Sequence, residues 1–256
     1  MRVSIIGSGA MGGAIGRGLL ASGFPPGDLT MANPSAGKLI PFAKAGAFTT
    51  CDNRDAVRRA DIVILAVKPW LVAGVIEQIK DDLDPARHTV VSVAAGVSGD
   101  TLCGSIGAET GIYIVIPNTA AEVRQSMTFI VPVRESDTKS VAGLFGRLGD
   151  VMQVEESLLP AATTLASCGI AYAMRYIRAA MEGGVELGFR ASAAQEIVVQ
   201  TVKGAAALLS REGAHPESEI DKVTTPGGLT IRGLNEMEHA GFTSAVVRGL
   251  KAGIKK

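Results

Sequence analysis

With 256 residues and 26.4 kDa, the chain is long enough to bury a sizeable core, as one large domain or two modest ones. Lysine plus arginine and aspartate plus glutamate are equal at 25 each, so the basic excess of a nucleic-acid binder is missing. Cys51, Cys103 and Cys168 are far apart and odd in number, and His88, His215 and His239 are scattered, which argues against a disulfide framework or a metal centre and for a reducing compartment.

The chain opens on Val3-Ser4-Ile5-Ile6, a short apolar run that ends in Gly7-Ser8-Gly9-Ala10-Met11-Gly12. It passes at once into a helical period with Met11, Ile15 and Leu19 on one face. A strand, a tight loop and a helix is the context in which G-x-G-x-x-G binds a dinucleotide. Gly7 permits the sharp turn, Gly9 lets the backbone approach a pyrophosphate, and Gly12 lets helix and strand pack closely. The same glycines break the N-terminal apolar run after a few residues, so no targeting segment is visible and the expected location is the cytoplasm.

The second strand ends in Asn33-Pro34-Ser35-Ala36-Gly37-Lys38. NAD-binding folds usually carry an acid here, about 20 residues past the glycines, to accept from the ribose hydroxyls. Asn33, Ser35 and Lys38 instead suit a 2′-phosphate, whose charge an acid would repel, so NADPH is favoured over NADH.

Strands and helices alternate as far as residue 154, which predicts a mostly parallel, doubly wound sheet of Rossmann type. Strands are expected at Val3–Ile6, Leu29–Ala32, Ala47–Thr50, Ile62–Ala66, Thr89–Val93, Ile112–Ile116, Met127–Val133 and Val151–Val154. The run Asp61–Val67 reads as a central strand buried on both faces. Helices are expected at Ala36–Ala45, Asp55–Arg59, Trp70–Ile79, Gly99–Ile106 and Lys139–Leu148.

Beyond residue 155 strand signals stop, and Ser157–Gly188, Ser192–Ser210 and Leu229–Leu250 read as helices. Ser192 with Gln195 fits a capping box, and Gly213 to Pro216 reads as a break. The apolar stretch Leu158–Ile177 is interrupted by Thr163, Thr164, Ser167 and Arg175, which suits a buried helix better than a membrane span. Arg248, Lys251, Lys255 and Lys256 would complete the last helix and its dipole. Residues 1–154 are thus expected to form a dinucleotide-binding domain and 155–256 an all-α domain. A bundle this short, dense in Gly169, Ala171, Ala173, Ala179, Ala180, Gly183 and Gly184, would leave an apolar face for a second copy to cover.

No compelling catalytic acid stands in the second half. The most unusual stretch is Asp221 to Glu238, in which Thr224-Thr-Pro-Gly-Gly-Leu-Thr230 is a turn running into a helix, where the amides of Gly227 and Gly228 would be free to bind a carboxylate beside the Thr230 hydroxyl. From the residues alone this and a plain helix connection capped by Thr230 stand level.

At these residues the chain resembles the pyrroline-5-carboxylate reductases. The resemblance runs through Gly7–Gly12, Leu65-Ala-Val-Lys-Pro69, Val93-Ala-Ala-Gly-Val97, Ile116-Pro-Asn-Thr119, Ala171-Tyr172, Gly183–Gly188, Gln200–Ala206 and the Thr-Pro-Gly-Gly-x-Thr loop. It implies reduction of a cyclic imine to L-proline by NADPH, with NADH as the alternative donor. It also implies that Thr225, Gly227 and Gly228 hold the substrate carboxylate and that Thr230 hydrogen-bonds the ring nitrogen. Asn53 matches a ribose contact, and Ala66, Val67, Lys68, Pro69, Ala94, Ala95 and Gly96 line the cofactor cleft. Family members dimerise through C-terminal helices and often form larger rings. The missing acid agrees, because a cyclic imine can be protonated in water and the enzyme mainly has to orient it.

The family commonly has Met and Pro where Ile116 and Ala120 stand, Ser and Pro where Cys168 and Ile170 stand, and Ser where Thr225 stands. These departures lie in segments that would line or support the substrate pocket, so a reductase of another cyclic imine is one alternative and a non-catalytic NADPH-binding sensor another. A β-hydroxyacid dehydrogenase needs a lysine base on the first long helix of the second half. That helix offers Arg175 and Arg178, and no lysine lies between Glu155 and Thr201.

Overall fold

The apolar runs of the first half become eight strands in the computed structural model, which describes residues 1–107 and 109–254. They are β1 (Val3–Ile6), β2 (Leu29–Ala32), β3 (Phe48–Thr50), β4 (Ile62–Leu65), β5 (Thr89–Ser92), β6 (Gly111–Ile116), β7 (Ser126–Arg134) and β8 (Gly149–Gln153). Their order is β3-β2-β1-β4-β5-β6-β7-β8. All neighbours pair in parallel except β6 with β7. The reversal has a simple cause. Only a short turn, Thr119–Val123, joins β6 to β7, whereas a parallel crossover takes about a dozen residues or more.

Helices α1 (Ala10–Ala21), α2 (Ile40–Lys44), α3 (Asn53–Arg58), α4 (Val72–Ile79), α5 (Gly99–Ser105) and α6 (Thr138–Gly146) cover the sheet. The two-residue period of a strand sends Ile62 and Ile64 of β4 to one face, with Ile15, Leu19, Phe42 and Phe145. Val63 and Leu65 go to the other, with Val57, Ile76, Ile79 and Leu102. β4 is therefore the central, doubly buried strand expected. Asp52, Ser98 and Asp137 start α3, α5 and α6 by accepting amides of the first turn.

Several helices are shorter or more broken than the periodicity suggests. Ala36–Ala45 divides into a 3-10 turn, Ala36–Lys38, and α2, with Pro41 in the first turn of α2. Trp70–Ile79 likewise begins as a 3-10 turn, Pro69–Leu71, before α4.

His88, at the start of β5, is a buried structural residue. Its Nδ1 accepts the Asp84 amide at 2.7 Å, so the imidazole must be neutral there. Burial, aided by the Arg87 charge, holds its pKa below the ordinary 6.5. A histidine depressed in the folded state supports folding above its unfolded pKa, and that support is lost as pH falls below about 6.5 towards the folded value. Urea unfolding at pH 7.5 and 5.5 should show lower stability at the acid end, and His88→Asn, which keeps an acceptor but cannot titrate, should remove that part of the loss.

The chain divides into two compact units, Met1–Ser167 and Cys168–Lys256. Helical structure leading to the second begins with α7 (Leu159–Ala162) and a π-helical turn, Thr163–Cys168. The second unit holds α8 (Gly169–Glu186), α9 (Ala191–Leu209), α10 (Pro216–Val223), α11 (Leu229–His239) and α12 (Phe242–Ala252). α8 and α9 meet where Gly184 lies against Ala194, so closely that a Cβ on Gly184 would come within 3.1 Å of the alanine methyl. Tyr176 and Phe242 stack edge-on with centroids 6.4 Å apart, tying α8 to α12.

Three expectations are corrected here. Leu229–Leu250 is not one helix, because Gly241 turns left-handed at φ 81° and closes α11 with a bond to Glu238 O. The break expected at Gly213 to Pro216 is present, and Pro216 opens α10, a helix not named from the sequence, with Glu217 and Glu219 in its first turn. Ser192 makes no capping box; α9 begins at Ala191 and its N-cap, Arg190, offers no side-chain bond. The helix expected to be buried is largely exposed: α8 has no buried residue, because a unit this small has too little mass to cover it. Among the described residues one run, Glu156–Glu186, is long and apolar enough to cross a membrane by length and composition. Lys251 stands in the last turn of α12 as expected, while Lys255 and Lys256 lie outside the described residues.

Candidate functional site

Between β1 and α1 the glycine loop is shaped by what a side chain would strike. Gly7 has φ 105°, and a Cβ there would come within 2.7 Å of the Ala66 carbonyl oxygen. A Cβ on Gly12 would overlap the Gly7 carbonyl oxygen and reach within 2.9 Å of the Ala66 methyl, so α1 can enter against β4 only with glycine here. At Gly9 a Cβ would meet no protein atom within 4 Å. The space beside Gly9 is open, and packing within the protein does not require glycine there. α1 has Gly9 as its N-cap, no side-chain cap and no acid in its first turn. The amides of Ala10, Met11 and Gly12 are thus first-turn donors with no helical partner, a ready anion cradle.

The cradle opens into a cavity of about 790 Å³. Its lining includes Gly7, Gly9, Ala10, Met11, Asn33, Lys38, Asn53, Ala66, Val67, Lys68, Pro69, Ala94 and Ala95. Among the sequence-selected residues of this region, Gly12, Ser35 and Gly96 do not line it. Ile6, Pro34, Cys51, Trp70, Leu71, Gly74, Val75, Gln78 and Val93 join the lining without having been named as cofactor residues from the sequence. The wall is mostly apolar, and its charged lining residues are Lys38 and Lys68, with no carboxylate among them. That donor set fits a dinucleotide carrying phosphates, and the missing acid matches a 2′-phosphate.

Asn33 is buried at the tip of β2 and occupied by protein partners. Its Oδ1 accepts the Ser8 amide at 3.3 Å and its Nδ2 donates to Ser35 O at 3.2 Å. One amide therefore braces the glycine loop and the turn bearing Lys38 together. Across the cavity, Asn53 at the start of α3 donates through Nδ2 to Gln78 Oε1 of α4 at 2.8 Å.

The second candidate region lies in the helical unit. Thr225-Pro226-Gly227-Gly228 is a tight turn closed by the Gly228 amide donating to Thr225 O at 2.9 Å, with Gly227 at φ 69°. Proline then a left-handed glycine at the two central positions is the type II pattern. The Gly228 amide, expected to be free, is thus used by the turn itself. Thr224 anchors the turn by donating through Oγ1 to Ile220 O and Asp221 O at the end of α10. Gly228 is the N-cap of α11, with no side-chain cap and no acid in the first turn. The unpaired donors are therefore the first-turn amides, beginning at Leu229 and Thr230. Thr230 sits inside the helix, exposed, and does not cap it. Among the described residues no cluster of histidine, cysteine and carboxylates could hold a metal.

Comparison with known proteins is consistent along the chain. A family model for pyrroline-5-carboxylate reductase dimerisation matches residues 156–256, and one for coenzyme F420-dependent NADP oxidoreductases matches residues 2–96. Pyrroline-5-carboxylate reductase 1 of Dictyostelium discoideum is 39% identical over 97% of this chain, which spans 48% of that longer protein. Pyrroline-5-carboxylate reductase 2 of the same organism is 35% identical, covering 99% of this chain and 91% of its own length. The solved Plasmodium falciparum pyrroline carboxylate reductase with NADP bound superposes with a TM-score of 0.88 at 25% identity, over 99% of this chain and 95% of that one. A likeness that runs nearly end to end in sequence and in backbone, over both the glycine loop and the helical half, shows that this chain belongs to the pyrroline-5-carboxylate reductase family.

Proposed function

We infer that the chain reduces 1-pyrroline-5-carboxylate to L-proline with NADPH, the last step of proline synthesis. The observation that carries this reading is the end-to-end likeness to a named reductase, with 91% of the relative covered. The acid-free, lysine-bearing cavity beside the glycine loop supports it from the chemistry of the residues.

When bound, NADPH supplies a hydride to the imine carbon. The first-turn amides of α1 would hold the pyrophosphate, with Gly7, Gly9 and Gly12 shaping the approach. Asn33 and Lys38 would face the 2′-phosphate side, with Ser35 on the turn between them, and Asn53 a ribose, while residues 66–69, Ala94 and Ala95 form walls. In the helical unit Thr225, Gly227 and Gly228 shape the turn whose following amides suit the substrate carboxylate, and the Thr230 hydroxyl would meet the ring nitrogen. Since the imine is readily protonated near neutral pH, these groups orient it and need supply no strong acid.

We further propose that residues 1–154 act as the cofactor domain and 155–256 as the substrate and dimerisation domain, in the cytoplasm. Exposed Met174, Val185, Leu187, Phe189, Ile197 and Val247 support a second copy as the cover. A larger ring of dimers is the family pattern and is proposed with it.

The test is steady-state assay with the imine and either nicotinamide. No turnover with either would sink the reading, and turnover of a different cyclic imine alone would move the substrate. Lys38→Glu should cut the NADPH-to-NADH affinity ratio by about tenfold, roughly 1.4 kcal/mol, as a carboxylate repels the 2′-phosphate. Nearly equal affinity of the unaltered protein for the two cofactors would remove Ser35 and Lys38 from that choice.

A further inference from the structure

We propose that Gln78 is a positioning residue for the cofactor: by an amide-to-amide hydrogen bond it holds the Asn53 side chain in place on the cavity wall, where Asn53 can meet a ligand. The proposal rests on the dinucleotide reading of this cavity and adds to it a residue on α4 that no glycine motif announces.

Asn53 is the first residue of α3 and its side chain is half-buried on the cavity wall. An asparagine amide can present either its oxygen or its nitrogen to a ligand, with opposite hydrogen-bonding character. Here Nδ2 donates to Gln78 Oε1 at 2.8 Å. Oδ1 takes no hydrogen bond among the described residues. A sugar hydroxyl, which both donates and accepts, is a group that a side chain held in this place can bind.

Gln78 can reach Asn53 because of the shape of α4. Trp70, Gly74 and Gln78 are spaced four apart along the 3-10 turn and helix, so they share one side of it, and all three line the cavity. Gly74 has nothing within 4 Å of a would-be Cβ, so the wall between the indole and the amide is open. Gln78 is exposed and its partner across 25 positions of sequence is Asn53. Val75 and Ile79, on either side in sequence, carry the packing of α4. An exposed glutamine is not needed for that packing, and this separates a positioning role from a structural one.

The experiment is equilibrium titration of NADPH, read by calorimetry, on the full chain. Gln78→Leu removes the hydrogen bond to Asn53 and should raise the NADPH Kd by about five- to tenfold, the size of one neutral hydrogen bond, with the melting temperature unchanged. Asn53→Ala should weaken binding similarly, and the double variant should bind no worse than Asn53→Ala alone. Gln78→Glu keeps an oxygen for Asn53 Nδ2 and should bind NADH, which lacks the 2′-phosphate, more tightly than Gln78→Leu does. Unchanged binding by Gln78→Leu, full additivity in the double variant, or failure of Gln78→Glu to rescue would each overturn the proposal. Failure of the unaltered protein to bind either nicotinamide would instead overturn the cofactor reading beneath it.

Discussion

Gly12→Ala should both destabilise the protein and abolish measurable NADPH binding, whereas Gly9→Ala should affect binding alone. The contrast comes from where each new methyl would go. At position 12 it overlaps the backbone carbonyl of Gly7 and crowds Ala66. Neither the Gly7 backbone nor the short Ala66 methyl can swing aside as a flexible side chain would, so the cost belongs at the upper end of overpacking, about 3 kcal/mol. For a chain of this size that is on the order of 6–12 °C in melting temperature. Relief of the clash would push α1 away from β1, carrying the first-turn amides of Ala10 and Met11 with it. At position 9 the methyl meets no protein atom, so melting should stay within about 1 °C, yet it occupies the space through which a pyrophosphate would approach. Thermal melts and calorimetric titration of the two variants check both halves. Equal melting temperatures would refute the packing role of Gly12, and unaltered affinity in Gly9→Ala would place the pyrophosphate elsewhere.

Thr230→Ala should lower kcat for imine reduction by about 10- to 100-fold and leave the NADPH Kd unchanged. A hydrogen bond to a charged group contributes about 1.5–3 kcal/mol, and a protonated imine nitrogen is such a group. The hydroxyl sits in the first turn of α11, where the turn closed by Gly228 and anchored by Thr224 fixes the helix start. Thr230→Ser keeps the hydroxyl and should retain most of the activity. The residue is exposed and caps nothing, so loss of folding is not the expected route to loss of rate. A variant with unchanged kcat would take Thr230 out of the mechanism.

The sheet could be read from the sequence because its strands are short apolar runs bounded by glycines and charges, and each lies within a residue or two of its expected place. β7 could not be given its direction from periodicity; that follows from the brevity of the Thr119–Val123 connection. In the helical half the pattern misled where apolar spacing continued through a break. Leu229 to Leu250 keeps its hydrophobic rhythm across Gly241, and only the left-handed glycine divides it. α10 went unseen because few of its side chains are apolar, though Pro216 followed by Glu217 and Glu219 was the signal available. The glycine loop was legible because every glycine answers a backbone requirement. Gln78, Cys51 and Trp70 were not, since they reach the cavity only through the approach of α4 and the end of β3, which no local motif encodes.

Trp70 has an experimental use of its own. It is the sole tryptophan of the chain, it is 75% exposed, and it stands on the cavity wall. All indole emission from this protein therefore originates beside the dinucleotide cleft. Its spectrum is an unlabelled, single-position reporter, answering to events at that wall and receiving no second indole signal from the helices of the C-terminal half.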